Sequence, residues 1–228
     1  MVRTLDRTAH ATRREAFVEV AQQLIQTKGY ELMSIQDILD ELDASRGAFY
    51  HYFDSKESLL EAVVERIVGA AMAAVAPLVA DPSLTGLQKL EGFFAGIGRW
   101  KGDRKELMVA ILRVWASDPN AIVREKFRRG AVGTLAPVLA TIVRQGQAEG
   151  VFTATSPDHA ARVLVALLQS LNDAATELFF AREAEQVSFE TVQEAFDAYT
   201  EAFERILGLP PLTLTMSDPA SLRLWFGR

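Results

Sequence analysis

The 228-residue chain contains no cysteine and only three histidines, His10, His51 and His159. The first absence excludes disulfides and thiolate metal sites and fits a reducing compartment. The histidines are isolated from one another in sequence and lack ligand-like spacing, so no metal site is expected, and no motif calls for a cofactor. Long apolar runs are missing too: the longest, residues 69–80, is too short to span a bilayer and contains Pro77. Residues 1–10 lack the apolar stretch of a signal peptide. The expectation is a soluble cytoplasmic protein with no membrane role. Gly92, Gly96 and Gly98 do not form a phosphate loop, because no strand precedes them and no lysine–threonine pair follows; close helix packing explains them better. No serine, histidine and acid stand in a recognisable catalytic pattern, so no enzymatic activity is assigned.

Apolar residues are plentiful, at 49% of the chain, enough for one large or two modest domains. They recur at helical spacing from Ser55 to Leu207, with no comparable strand run, so the fold class is all-α.

The most informative stretch runs from Gly29 to Leu60. Ser34 followed by Asp37 reads as a capping box opening a short helix with Ile35, Ile38, Leu39 and Leu42 on one face. Asp43-Ala44 breaks that helix, and Ser45 caps a second one in which Phe49 and Phe53, four residues apart, point inward. The other face is small and polar: Arg46, Gly47, Ala48, Tyr50 and His51. Small residues let a backbone approach base edges, and an arginine there suits bidentate contact to guanine in the major groove. Tyr50, His51 and Lys56 are donors of the kind that fix position on phosphates, and Ser34 opens the neighbouring helix on the same side. Asp54 or Ser55 caps the next helix, whose first turn holds Lys56. Upstream, Phe17, Ala21, Leu24 and Ile25 form the apolar stripe of a helix that stops at Gly29.

The order Gly29-Tyr30, Ser34-Ile35-x-x-Ile38, then Tyr50-x-Tyr52-Phe53-x-Ser55-Lys56-Glu57-x-Leu59 resembles the N-terminal domain of the tetracycline-repressor (TetR) family of bacterial transcription regulators. The resemblance covers residues 11 to about 65. It implies a three-helix, helix-turn-helix DNA-binding domain followed by a larger helical domain for ligand binding and dimerisation. It further implies a homodimer on a palindromic double-stranded DNA operator, released by a small-molecule effector, with repression as the common output. The turn departs from the family pattern of glycine then valine, having Asp43 and Ala44, and aspartate tolerates left-handed angles. A helical binding or enzymatic protein that keeps the N-terminal bundle only as scaffold is the alternative.

Charge constrains how DNA would be held. Residues 1–60 carry seven basic against ten acidic side chains, a net of −3. A nonspecific polyanion coat is therefore excluded, and affinity must come from placement of basic groups and helix N-termini. Arg3, Arg7, Arg13 and Arg14 sit at or before the first helix and are candidates for an arm reaching phosphate or minor groove; a solvated terminus explains Arg3 and Arg7 as well.

Beyond the reader, Leu59, Leu60, Val63, Val64 and Ile67 stripe a connecting helix that continues towards Pro77. Asp118-Pro119 and Ser156-Pro157 are helix starts, and Glu149-Gly150 is a stop, giving helices over 86–100, 103–117, 119–149, 157–182 and 188–207. Pro137 predicts a kink in the third of these. Expected divisions are 1–54 (arm and reader), 55–208 (effector-binding and dimerisation body) and 209–228 (tail). By resemblance, the last two long helices would pair with their twins in a four-helix interface. Phe93, Phe94, Trp100, Met108, Leu112, Trp115 and Phe127 are candidate linings of an apolar ligand cavity, although core packing accounts for the same residues. Gln169, Asn172 and Asp173 are candidates for orienting a ligand or for a polar spot at the dimer interface. In the tail, Leu212 to Met216 alternates like a short extended piece, and Asp218-Pro219 caps a final turn carrying Leu222, Trp225 and Phe226. That apolar group is expected to dock on the body or on a partner subunit.

Overall fold

The computed structural model describes residues 2–116 and 121–227, with side chains from residue 9 onward. All regular structure among the described residues is helical: α1 (Val2–Thr27), α2 (Ile35–Leu42), α3 (Arg46–Tyr50), α4 (Lys56–Ala80), α5 (Gly86–Gly102), α6 (Lys105–Ala116), α7 (Ala121–Ala148), α8 (Pro157–Glu183), α9 (Phe189–Leu207) and α10 (Pro219–Phe226). The start expected at Asp118-Pro119 lies outside the described residues. Ser156 does stand at the N-cap of α8 with Pro157 behind it, but its side chain makes no capping bond. Pro137 lies inside α7.

Two compact units form, Met1–Ala70 with Arg104–Phe127, and Ala71–Asp103 with Arg128–Arg228. This partition differs from a boundary at 54/55. The apolar stripe Leu59, Leu60, Val63 and Val64 of α4 buries in the same core as Phe17, Ile25, Ile38, Phe49 and Phe53. α6 also packs on α1. Each such side chain contributes roughly 1.5–3 kcal/mol by leaving water, so the first half of α4 belongs energetically with the N-terminal helices. Gly29, at φ +85°, ends α1 in the left-handed conformation that glycine adopts without steric cost.

In the second unit, Leu90, Phe93, Phe94, Leu139, Ile142, Leu164, Phe203 and Leu207 form the core. α5 and α7 touch backbone to backbone: a Cβ on Gly86 would lie 2.6 Å from the Gly146 amide nitrogen. Glu149 stitches this crossing by accepting the Gly86 amide hydrogen at 2.8 Å, which with a bond from Gln145 lowers its carboxyl pKa below the ordinary value. Gly92 and Gly96 sit under Leu78 and Val75 of α4, whereas Gly98 faces open space. α8 packs on α9.

The tail packs against α5, α8 and α9 of its own chain. No strand forms among its described residues. Instead the buried Glu204 carboxylate accepts three successive backbone amides, Leu212 at 3.2 Å, Thr213 at 2.7 Å and Leu214 at 2.9 Å. Leu212 has φ +63°, so the three N–H groups converge as a small anion nest. Asp218 caps α10, Phe226 meets Phe196, and Arg182 donates to the Phe226 carbonyl. α4 and α8 are long and apolar enough, by length and composition, to cross a bilayer, a test that core helices of soluble proteins also pass.

Candidate nucleic-acid interface

The site is assembled by caps. Ser34 Oγ accepts the Asp37 amide hydrogen at 3.2 Å, and Asp37 Oδ2 accepts back from the Ser34 amide at 2.7 Å, so α2 opens with a complete capping box. Lys28 reaches the same carboxylate at 2.6 Å. These bonds, Lys28 first, hold the Asp37 carboxyl down at about 2, so it stays ionised across the physiological range. Ser34 is exposed, but its hydroxyl is engaged twice within this box. Asp43 closes α2 at φ 45°, the left-handed conformation its side chain tolerates.

Ser45 caps α3 by accepting the Ala48 amide hydrogen at 3.2 Å. Phe49, fully buried, pins the inner face of α3 against Phe17 at 5.8 Å and Phe53 at 5.8 Å between ring centres. The outer face is consequently presented: Ser45, Arg46, Gly47, Tyr50 and His51 are exposed and Ala48 is half-buried. Tyr50 is 54% exposed although its ring leans edge-on against Phe49. Among the described residues, the Arg46 guanidinium has no ion pair or hydrogen bond. Ser55 and Ser58 exchange amide-to-hydroxyl bonds of 3.2 and 3.1 Å to start α4.

Lys56, Arg13 and Arg14 each lie over an aromatic ring. Lys56 does not extend freely: its ammonium stands 4.1 Å over the Tyr30 ring, and desolvation there lowers its pKa, opposed by Glu31, Glu57 and Asp37. Arg13 and Arg14 lie within the first helix. α1 runs back to Val2, and their guanidinium groups lie over Phe17 at 5.9 Å and Phe53 at 5.1 Å. Aromatic faces capture these side chains because the seam is only one helical turn away. The side chains of Arg3 and Arg7 lie outside the described residues.

The candidate ligand residues are divided between the two units. Phe93 and Phe94 are buried in the second core, with Phe94 edge-on to Phe203 at 5.4 Å, and Trp100 is half-buried on α5. Met108 is buried and Leu112 half-buried on α6, while Trp115 packs edge-on to Phe127 at 5.1 Å in the first unit. The polar trio on α8 forms interhelical tethers. Gln169 donates to the Arg128 carbonyl at 2.7 Å, Asp173 pairs with the Arg128 guanidinium, and Asn172 accepts from Lys101 at 3.3 Å. Sequence reasoning missed the pairing of Lys28 with Asp37, nine residues on, and those of Lys101 and Arg128 with the distant α8. Desolvation lowers the Lys101 pKa. Among the described residues no group of three or more His, Cys, Asp or Glu converges as a metal cage would require.

Residues 17–63 match the family model described as bacterial regulatory proteins, tetR family. The chain is similar to the HTH-type transcriptional regulator EthR of Mycolicibacterium smegmatis, 26% identical over 144 residues, covering 56% of this chain and 66% of the relative. An HTH-type transcriptional regulator in the lacX 3' region of Lactococcus lactis is 46% identical over 55 residues, covering 24% of this chain and 28% of that one. The chain thus spans less than two thirds of the length of these curated relatives. In fold it is similar to a TetR transcription regulator from Haloarcula marismortui, with TM-score 0.60 at 20% identity, covering 87% of this chain and 97% of the other.

Proposed function

From the membership of this chain in the TetR family of bacterial regulatory proteins, we propose that it is a cytoplasmic, homodimeric transcription regulator that reads DNA through Ser45 to His51. It binds a palindromic operator and, as a repressor, leaves it when a small molecule occupies the helical body. The supporting observation is the outward face of α3: Arg46 and Tyr50 are exposed while Phe49 on the opposite side is fully buried.

The chemistry follows from that face. The Arg46 fork matches the O6 and N7 acceptors of guanine in the major groove. Gly47 and Ala48 keep the leading turn thin enough for close approach, and Tyr50 and His51 at its far end donate to phosphates. With net charge −3 over residues 1–60, ionic contacts per half-site are few, so binding depends on two reading helices set about 34–36 Å apart on successive major grooves. Effector release follows if the ligand-bound protein favours a conformer with a different spacing. No catalytic role is assigned.

The test is a mobility-shift titration against DNA from the upstream intergenic region, or against fragments recovered by genome-wide selection. Arg46→Ala is expected to weaken specific binding by about 1–3 kcal/mol per half-site, and Tyr50→Ala to weaken it without changing base preference. Helicity should be unchanged in both. A scaffold-only bundle predicts the opposite: neither substitution alters any DNA complex.

A further inference from the structure

His10 on α1 and His51 at the C-cap of α3 are remote in sequence, yet their ring centres stand 5.3 Å apart with planes crossed at 74°. Tyr52 touches both rings, at 4.7 and 4.9 Å between centres. Both imidazoles are exposed, and among the described residues neither makes a hydrogen bond or ion pair. Nothing in the proposed reading of DNA requires His10 to stand there.

We propose that His10 and His51 chelate one divalent transition-metal ion, Ni²⁺, Cu²⁺ or Zn²⁺, with water completing its coordination. The spacing suits a chelate as well as edge-on ring packing. A metal about 2.0–2.1 Å from a coordinating nitrogen lies about 3.2 Å from the ring centre, so a tetrahedral angle between two such bonds separates the centres by about 5.2 Å. The final side-chain torsion of histidine is broad and roughly two-fold, and turning it leaves the ring centre nearly in place, so a nitrogen of each ring can be redirected while the spacing is kept. The donor set decides the metal class. Two neutral imidazoles suit nickel, copper and zinc, whereas magnesium and calcium need carboxylate or carbonyl oxygens. The absence of a third protein ligand among the described residues leaves the remaining positions to water. The bound ion joins α1 to the end of α3, and it places positive charge in a segment whose net charge is −3.

The experiment is calorimetric titration of full-length, untagged protein with nickel chloride and zinc chloride, alongside His10→Ala, His51→Ala and His159→Ala. The expected result is saturable binding of one ion per protomer, preserved in His159→Ala and weakened about tenfold or more in each of the other two. Far-UV circular dichroism should report unchanged helicity for all four proteins, since the three rings are surface-exposed. Equal binding in wild type and His10→Ala, loss in only one of the two chelating variants, loss in His159→Ala, or no binding overturns the chelate. None of these readouts involves DNA, so failure here is separate from failure of the proposed function.

Discussion

At the scale of the residue, Gly47 is the most telling position on α3. A Cβ added there meets only Ser45 Oγ, at 3.8 Å, an ordinary contact, and its φ is not left-handed. Glycine inside a helix costs roughly 0.5–1 kcal/mol relative to alanine, and nothing within the fold requires it here. Under the proposed function, the glycine serves the close approach of DNA to α3. Gly47→Ala is expected to raise stability by up to about 1 kcal/mol in urea unfolding while weakening operator binding in the mobility shift. A variant that gained stability and kept full affinity would remove Gly47 from the interface. The same logic marks Arg46 as outward-directed: Arg13 and Arg14 lie over aromatic rings, whereas Arg46 has no partner among the described residues.

At the scale of the element, the tail depends on one buried acid. Glu204 is 3% exposed, and among the described residues its carboxylate is held by N–H groups of a loop rather than by a cation. Thr215 is held similarly by Glu91, at 3.0 Å, so two helices grip the strap. Beyond it, α10 inserts Leu222 and Phe226, and Trp225 rests against Phe179. Glu204→Gln retains an acceptor oxygen but loses the charge and the bond to Leu212. It is expected to destabilise the protein by about 1.5–3 kcal/mol, the usual loss for a charge-assisted hydrogen bond. It should also make residues 209–228 sensitive to limited proteolysis, seen as a truncated mass. Equal resistance of wild type and variant would mean that α10 alone anchors the tail.

At the scale of the whole molecule, α8 leaves apolar surface uncovered. Val163 is 49% exposed, and most of the apolar stretch of α8 is not fully buried in the chain. α9 lies alongside, joined by the Ser170–Tyr199 hydroxyl bond of 2.7 Å. In the proposed homodimer these two helices meet their copies about a two-fold axis, a self-complementary four-helix interface that would suit a palindromic operator. Val163→Glu places like charges near their symmetry mates in a desolvated seam. Analytical ultracentrifugation is expected to show the dimer dissociation constant rising about tenfold or more, with operator affinity falling in parallel. A dimer unaffected by this change would move the interface away from α8.

How much was legible in the sequence follows from the range of the interactions. Caps, turns and helical stripes depend on residues within about four positions, so the sequence by itself determined the α2–α3 reader, the left-handed Asp43, the start of α10 at Asp218 and the all-α class. The outward set on α3 was equally readable, because burying Phe49 dictates which side faces out. Tertiary structure alone decided what distant side chains meet. It divided the aromatic candidates between two cores, tied Gln169, Asn172 and Asp173 to α5 and α7, laid Lys56 over Tyr30, and brought His10 against His51. Periodicity states that a face is buried without stating against what. That partner is set by packing among helices whose order in space no local pattern encodes.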